Sequence, residues 1–505
     1  MSLQDPKKRL LRNVTSNWVQ MAVYTVIALI MTPFLVHSLG KEIYGIWALI
    51  FSIVQYTNFF DVGFKQGLAR YLPKYYAAHD YHKLNEVINS SNLIYSISGV
   101  AVIITTLVIA VFFIDVFQVT PELQSLMRAG LIIIGINQAV FFFFMAGTAL
   151  GPFHRYDLYN GVEIVKTVLS SLAVVYFLMN GYGLIALALL TLASNVVGLL
   201  VKRFFQQRIV PQIRFGIGFI SKERIRELFS YSIVSFLIVI TWIVIYSTDN
   251  VVIGIYISST AVTFYNIAGT IVNNLRTFVS SIGVPLVPAI SHLDTTSDLR
   301  EIAGLHDKIM RYLYYLTTSI CVMLVFFGSD FIRLWMGEGF TSTAEVLLIL
   351  IIPACIYLPQ TMSNSVLLGI GQHRPLLYLL IVEAACNITL SLILVRFWGI
   401  HGVALGTAIP QILIYSFVYP YVFQKIIRSS LKGFYRSSAG AIGMSLLFTL
   451  PLAWLAAVLI TMDGWVGFIL KILIVGLGTL VGFGWKVLES SERKNMLGFI
   501  RLGRR

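Results

Sequence analysis

The chain has 505 residues, of which 57% are hydrophobic and only 12% are charged, and its mean hydropathy is +0.81. This composition excludes an ordinary soluble protein, in which about a quarter of the residues are charged. The net charge of +14 would favour nucleic-acid binding in a soluble chain. In a membrane protein, basic residues instead mark the cytoplasmic loops, so we expect no nucleic-acid partner.

Apolar runs long enough to cross a bilayer as helices recur along the whole chain, separated by short polar breaks. A helix satisfies its own backbone hydrogen bonds in lipid, so this pattern predicts an all-α polytopic membrane protein. About fourteen transmembrane helices are predicted, at residues 14–36, 44–64, 87–114, 125–150, 160–180, 183–205, 229–256, 261–286, 309–329, 343–368, 377–397, 401–424, 437–460 and 466–487.

Lysine and arginine concentrate in the N-terminal segment, in the C-terminal tail, and in loops near residues 65–86, 202–228, 287–308 and 425–436. The positive-inside rule therefore predicts a multi-pass protein of the cell (cytoplasmic or inner) membrane with both termini in the cytoplasm. No small-residue cleavage pattern follows the first apolar run, so we expect that span to be retained.

An internal repeat relates two halves of the chain. Leu150–Glu163 resembles Leu368–Glu383, and Gly183–Asn195 aligns without a gap to Gly399–Gln411. Each half then holds six spans, and an even number per half makes the two repeats parallel. The predicted divisions are an N-terminal six-helix bundle, a C-terminal six-helix bundle, and an additional helix pair with a basic tail, at residues 1–210, 211–430 and 431–505.

The second span ends in a polar segment that stands out from the rest of the run. Asp61 and Gly63 close the span, and Arg70 follows in a basic stretch. The predicted orientation places Asp61 near the cytoplasmic end. We therefore expect it to form a helix-end brace or inner gate with Arg70 as its partner, rather than to contact substrate.

Ionisable residues inside a membrane span are costly and mark candidate functional positions. Arg276 lies near the middle of the eighth span, next to Asn273 and Asn274. One interpretation is a cation that faces a central cavity and binds an anionic group of the substrate. The other is a purely structural pair with a carboxylate.

Four further charged positions are candidates. Glu163 and Lys166 are three residues apart on the fifth span and share a helix face, which suits either a self-contained ion pair or a cavity role for Lys166. Glu383 occupies a similar place in the second half without a following lysine, which favours a protonatable group. Asp249, late in the seventh span, is either a coupling acid or a group that reaches interfacial water.

Uncharged polar residues are weaker candidates for lining a cavity. Asn137 and Gln138 lie in the fourth span, where hydrogen bonding between helices is the simpler interpretation. The sequence contains no nucleotide-binding loop and no metal-ligand motif. We therefore expect no catalytic residue, no metal and no cofactor, which leaves proton or sodium coupling open as the energy source, and we expect that the protein is not an enzyme.

Four motifs carry a resemblance to a known family: Ser38–Leu49 (SLGKEIYGIWAL), Asp61–Phe64 followed by Arg70, Pro285–Ser291 (PLVPAIS) and Gly399–Ala408 (GIHGVALGTA). In order and spacing, over most of residues 10–430, they resemble the polysaccharide-biosynthesis branch of the multidrug/oligosaccharidyl-lipid/polysaccharide exporter superfamily. The resemblance implies two six-helix bundles in a V around a cationic central cavity that opens to each side in turn, in a monomer. The appended helix pair is similar to that of fourteen-span relatives, including lipid II flippases.

The function implied by this resemblance is a flippase for an undecaprenyl-diphosphate-linked oligosaccharide, such as an O-antigen or capsule repeat unit. Arg276 and Lys166 are then the expected contacts for the diphosphate, because a guanidinium can bind two oxygens at once. The expected partners are the lipid-linked oligosaccharide, membrane lipids and other polysaccharide assembly proteins. The alternatives are a multidrug or cation antiporter of the same fold, a lipid II flippase, and a non-transporting membrane protein that processes glycans.

Overall fold

The computed structural model describes residues 6–61, 63–148, 150–153, 155–283 and 299–487. Within these ranges the chain is helical and contains no strand, which confirms the predicted all-α class. The chain divides into two compact units, Met1–Asn266 and Ile267–Arg505. The boundary predicted near residue 210 follows from the sequence repeat and stays a prediction.

Eight helices and the start of a ninth build the first unit: α1 (Pro6–Leu39), α2 (Lys41–Gln55), α3 (Phe64–Ala77), α4 (Tyr81–Val108), α5 (Pro121–Phe144), α6 (Tyr156–Met179), α7 (Leu184–Ile209), α8 (Lys222–Tyr256) and α9 (Ser259–Gly283). Helix α6 packs against α1 and α7, and α5 packs against α2, α4 and α7. Helix α8 also belongs to this unit, because it packs against α2, α3 and α4.

The second unit contains the rest of α9 and six more helices among the described residues: α10 (Leu299–Met336), α11 (Thr341–Gly369), α12 (His373–Leu413), α13 (Tyr419–Ile426), α14 (Leu431–Leu459) and α15 (Gly464–Gly482). Helix α10 packs against α11 and α14. The appended pair, α14 and α15, is docked through the hydroxyl of Tyr315, which donates to the Thr479 carbonyl at 2.9 Å, and through a 2.8 Å contact between Ser319 and Ser445.

Twelve helical segments in the described part of the chain are long and apolar enough to cross a membrane. One of them, residues 373–426, is 54 residues long and folds back on itself, and α9 is a further helix of 25 residues. At about 1.5 Å per residue, α9 is long enough for the roughly 30 Å of a hydrocarbon core, although it is less apolar than the twelve segments. The two arms of residues 373–426 counted separately give thirteen crossings, and α9 would be the fourteenth expected from the sequence.

The fold-back within α12 explains the glycines of the GIHGVALGTA motif. Gly399 has φ 52° and ψ −130° and separates two helical arms. A Cβ atom at Gly402 would lie 2.1 Å from the Leu394 carbonyl oxygen, and one at Gly406 would lie 2.4 Å from Ser391 Oγ. The motif therefore encodes a tight helical hairpin, whose arms correspond to the predicted spans 377–397 and 401–424.

The polar end of the second span forms a turn rather than a continuous helix. Helix α2 ends at Gln55, a 3-10 turn covers Tyr56–Asp61, and Gly63 adopts the left-handed conformation with φ 76° before α3 begins. Gly63 thus lies at the N-terminal end of α3 in a conformation that favours glycine. The PLVPAIS motif lies outside the described residues.

The basic loop between α7 and α8 is held against α4 by two buried asparagines. Asn85 donates to the Gln212 carbonyl at 3.1 Å and accepts from the Arg214 backbone N–H at 2.8 Å. Asn89 donates to the Arg214 carbonyl at 2.8 Å and accepts from the Gly216 N–H at 2.9 Å. The loop is therefore bound to the first unit.

We expect Asn89→Ala to release this loop. The change removes two hydrogen bonds to the loop backbone, each worth about 1 kcal/mol, so opening becomes about thirtyfold more frequent. Limited trypsin digestion in detergent measures the opening as cleavage after Arg208 and Arg214. Asn92→Ala, which changes a partly buried asparagine on the same helix, is the matched control, and equal cleavage of both variants would contradict the prediction.

Candidate functional site

A cluster of charged and amide side chains lies inside the first unit, which we call the Glu163 cluster. Its members come from four helices: Tyr24, Asn137, Glu163, Lys166, Asn195 and Lys202. Glu163 Oε2 lies 2.8 Å from Lys166 Nζ and accepts from the Tyr24 hydroxyl at 2.9 Å, and Lys202 donates to Oε1. The carboxylate of Glu163 is thus bound by two ammonium groups.

Amides extend the cluster across the unit. Lys166 Nζ also donates to Asn195 Oδ1 at 3.1 Å, and Asn195 Nδ2 donates to Asn137 Oδ1 at 2.9 Å. Gly198 makes room for the lysine, since a Cβ atom there would lie 2.8 Å from Lys166 Cδ. Glu163 and Lys166 therefore meet as the sequence indicated, but the pair is not self-contained.

The Glu163 cluster holds two positive charges against one negative charge. The Lys202 side chain is only 6% exposed and that of Glu163 11% exposed, while that of Lys166 is 20% exposed. Lys202 Nζ also lies 4.3 Å from the centre of the Tyr159 ring, a cation–π contact. Because buried charge is costly unless it is compensated, the unbalanced positive charge favours an anion close to Lys166.

Polar side chains continue from the Glu163 cluster to the N-terminal end of α6. Asp157, Asn160, Glu163 and Lys166 follow each other every three residues on that helix. Asn160 donates to Ser16 Oγ and Asn17 Oδ1 of α1, and Asp157 contacts Arg12 at 3.6 Å and Arg155 at 3.1 Å. A cavity of about 530 Å³ lies between α1 and α6 at this end.

Arg276, the predicted cationic contact, lies on α9 in the second unit. Its Nη2 donates to Asn273 Oδ1 at 2.5 Å, one helical turn away. Arg276 and Asn274 are half-buried and Asn273 is exposed. The role of Arg276 as a cation that faces a cavity stays a prediction.

A second buried cluster, the Glu383 cluster, lies within the helical hairpin of the second unit and contains Glu383, Asn387, Thr407, Gln411 and Tyr415. The Tyr415 hydroxyl donates to Glu383 Oε2 at 3.0 Å, and Gln411 also hydrogen-bonds this carboxyl group. Asn387 Nδ2 donates to Thr407 Oγ1 at 2.8 Å. Asn387 Oδ1 is buried and has no hydrogen-bond partner among the described residues.

The repeat-related positions therefore carry different chemistry in the two units. Glu163 and Glu383 correspond in the sequence repeat, as do Asn195 and Gln411. Glu163 is bound by two lysines, whereas Glu383 is 2% exposed and bound by neutral hydroxyl and amide groups. The two clusters therefore differ in charge, since the first contains two ammonium groups and the second contains none.

The remaining predicted acids lie apart from both clusters. Asp249 is buried and accepts from the Tyr265 hydroxyl at 2.5 Å. Asp61 accepts from the Tyr95 hydroxyl at 3.1 Å.

The guanidinium carbon of Arg70, the predicted gate partner, lies 5.7 Å from the centre of the Tyr71 ring. The pairing of Asp61 with Arg70 stays a prediction. Gln138 donates to Asn58 Oδ1 at 3.0 Å, whereas its neighbour Asn137 accepts from Asn195.

Several residues of the two clusters were not among the predicted site residues: Tyr24, Asn195, Lys202, Asn387, Thr407, Gln411 and Tyr415. Lys202 was assigned to a basic loop, although it lies within α7. Asn387 had a usable signal, because it follows Glu383 by four residues and so shares its helix face. Tyr24 and Tyr415 had no such signal, because the chain contains 25 tyrosines and nothing in the sequence distinguishes these two.

The fold resembles that of solved transporters. The chain superposes on the lipid II flippase MurJ with a TM-score of 0.69 at 15% identity, covering 92% of this chain and 98% of that one. It superposes on an inward-facing multidrug resistance MATE family transporter of the MOP superfamily with a TM-score of 0.67 at 16% identity, covering 81% and 95%. The protein is a polytopic helical membrane protein whose fold resembles that of these transporters.

The sequence identifies the branch. Residues 10–294 match the family described as polysaccharide biosynthesis protein, and the chain belongs to that family. Relatives include the membrane protein EpsK of Bacillus subtilis, 22% identical over 412 residues, or 79% of this chain and 80% of EpsK. Another, named as an O-antigen transporter of Shigella flexneri, is 19% identical over 80% of this chain and 95% of its own length. The resemblance drawn from the sequence motifs is confirmed.

Proposed function

We propose that this protein is a flippase that moves an undecaprenyl-diphosphate-linked oligosaccharide, a repeat unit of a cell-surface polysaccharide, across the cytoplasmic membrane by alternating access. Both termini then lie in the cytoplasm, and the cargo crosses without covalent change. The observation that carries the proposal is the Glu163 cluster, in which one buried and one partly buried lysine face one carboxylate. A diphosphate supplies the negative charge that the cluster lacks.

The charge of this cluster favours an anionic cargo over a cationic one. A multidrug antiporter of the same fold that exports cations would need acidic groups to receive them. Here the Glu163 carboxylate is already bound by Lys166, Lys202 and Tyr24. Arg276 adds a further cation on α9, and its fork geometry suits two phosphate oxygens.

An apolar cavity in the second unit supports a lipid-linked cargo. It has a volume of about 670 Å³, lies between α10 and α15, and is lined by side chains such as Ile309, Leu316, Met323 and Leu480. An isoprenoid chain matches such a lining, because it has only apolar surface to bury. We propose that the appended helix pair holds part of the lipid tail.

The Glu383 cluster is the proposed coupling site. A carboxyl group, the unpaired Oδ1 of Asn387 and the hydroxyl of Thr407 form a set of oxygen atoms within one hairpin. Hard cations such as sodium prefer oxygen ligands, and a buried carboxyl group can equally bind a proton. The energy for transport would thus come from an ion gradient.

Arg276→Ala tests the cargo contact. We expect the variant to lose complementation of a strain that lacks its own flippase, and to transfer lipid-linked oligosaccharide at least tenfold more slowly in proteoliposomes, at normal membrane levels. Arg333→Ala removes an arginine paired with Asp330 in the same i, i+3 geometry and serves as the control. Full activity of Arg276→Ala would overturn the assigned contact, and export of a cationic drug instead of the oligosaccharide would overturn the function.

A further inference from the structure

Arg203, near the end of α7, has an arrangement that the proposed transport does not use. Its guanidinium carbon lies 4.5 Å from the centre of the Phe215 ring and 6.0 Å from that of Phe144. No carboxylate or carbonyl group contacts it within the described part of the chain. It differs in this from Arg224, which is bound by Glu86, Glu223 and Glu227.

The surroundings fix the guanidinium in place. Phe144 ends α5 and Phe215 belongs to the loop that Asn85 and Asn89 hold against α4. Gly147 closes the pocket, because a Cβ atom there would lie 3.3 Å from Arg203 Nη1. Aromatic rings contact the face of a guanidinium, so its N–H donors at the edge stay available for an anion.

Exposed apolar side chains lie on α7 close to Arg203 in the sequence and on the loop that follows α7. Ile217 is 89% exposed, Phe204 is 51% exposed and Leu200 is 50% exposed, and Arg208 lies 4.6 Å from the Phe204 ring. This combination of arginines, aromatic rings and aliphatic side chains at the end of a transmembrane helix is typical of the interface between lipid headgroups and acyl chains. Ile217 would enter the acyl layer while Arg203 stays at the level of the phosphates.

We propose that Arg203, Phe144 and Phe215 form a binding site for the phosphate of an anionic phospholipid in the leaflet that faces the basic end of the protein. Basic pockets between transmembrane helices bind such headgroups. The lipid would connect α5, α7 and the loop of residues 210–221, and its acyl chains would lie along Leu200 and Phe204. A free phosphate would gain the charge contact but not the apolar one.

The test compares lipid retention by native mass spectrometry of protein in phosphatidylcholine nanodiscs doped with phosphatidylglycerol. We expect the wild type to retain phosphatidylglycerol, and Arg203→Ala to bind it at least tenfold more weakly, as expected for a lost charge-assisted hydrogen bond. Phe215→Leu should weaken binding less. Arg203→Lys, which keeps the charge and is the less disruptive change, should bind between the wild type and Arg203→Ala.

Arg226→Ala is the matched control, because it removes one exposed arginine from the same end of the first unit. Equal loss in Arg226→Ala and Arg203→Ala would overturn the proposal in favour of diffuse surface charge. Equal retention of phosphatidylcholine by the wild type would also overturn it. Soluble glycerol phosphate and inorganic phosphate are tested separately, and binding of either as tight as that of phosphatidylglycerol would exclude a lipid site.

Discussion

Replacing Glu163 by glutamine should be the most destabilising single change in the first unit. The variant keeps the shape of the side chain but leaves the ammonium groups of Lys166 and Lys202 without a counter-charge. Breaking a buried ion pair by removing one partner costs about 3–5 kcal/mol. We expect a clear fall in the thermal unfolding temperature of the purified protein in detergent, and low membrane levels.

Replacing Lys166 by methionine should not destabilise the protein, but it should slow transport. This variant therefore separates the effect on stability from the effect on transport. It leaves one lysine opposite one carboxylate, so the cluster becomes neutral and the unfolding temperature should stay unchanged or rise. Transport should nevertheless fall. One unit charge at about 8 Å and an effective dielectric constant of about 20 contributes about 2 kcal/mol, or about thirtyfold, to attracting a phosphate charge.

Two results would contradict these predictions. If Lys166→Met is as unstable as Glu163→Gln, the excess positive charge is a structural requirement and not a binding feature. If Lys166→Met transports normally, the cargo does not use this lysine. The double variant Glu163→Gln, Lys202→Met carries one ammonium group instead of two and should recover part of the lost stability, because the two residues are in contact.

The fold could be predicted from the sequence because a lipid bilayer permits few backbone structures to span it. Apolar length sets the spans, and Gly399 marks the turn between two of them, so the hairpin of residues 377–397 and 401–424 could be predicted. The number of crossings and the family followed from the same patterns. Composition alone excluded soluble classes, since few charged residues were available for a solvated surface.

The contacts of the site were less predictable, because they depend on the rotation and register of one helix against another. Glu163 and Lys166 could be paired, being three residues apart on one helix. The contact of Glu163 with Lys202 joins residues 39 positions apart and depends on how α6 faces α7. Asp61 shows the same limit, because its hydrogen bond with the Tyr95 hydroxyl joins residues 34 positions apart.

Glu383→Gln should abolish coupled transport without unfolding the protein. Glutamine is nearly the same size as glutamate and its carbonyl oxygen can still accept the Tyr415 hydroxyl, which now donates at 3.0 Å. What is lost is the negative charge or the proton that the carboxyl group exchanges. We expect the response of transport to an imposed proton or sodium gradient to disappear in proteoliposomes, and the coupled rate to fall at least tenfold.

Tyr415→Phe provides the matched control within the same cluster. It removes one neutral hydrogen bond, worth about 1 kcal/mol, and leaves the carboxyl group in place, so the gradient response should persist at a reduced rate. Asn387→Leu and Thr407→Val then distinguish sodium coupling from proton coupling. A sodium ion needs their oxygens and should lose its effect in both variants, whereas a proton on Glu383 needs neither. An undiminished gradient response in Glu383→Gln would place coupling elsewhere, with buried Asp249 as the next acid to replace.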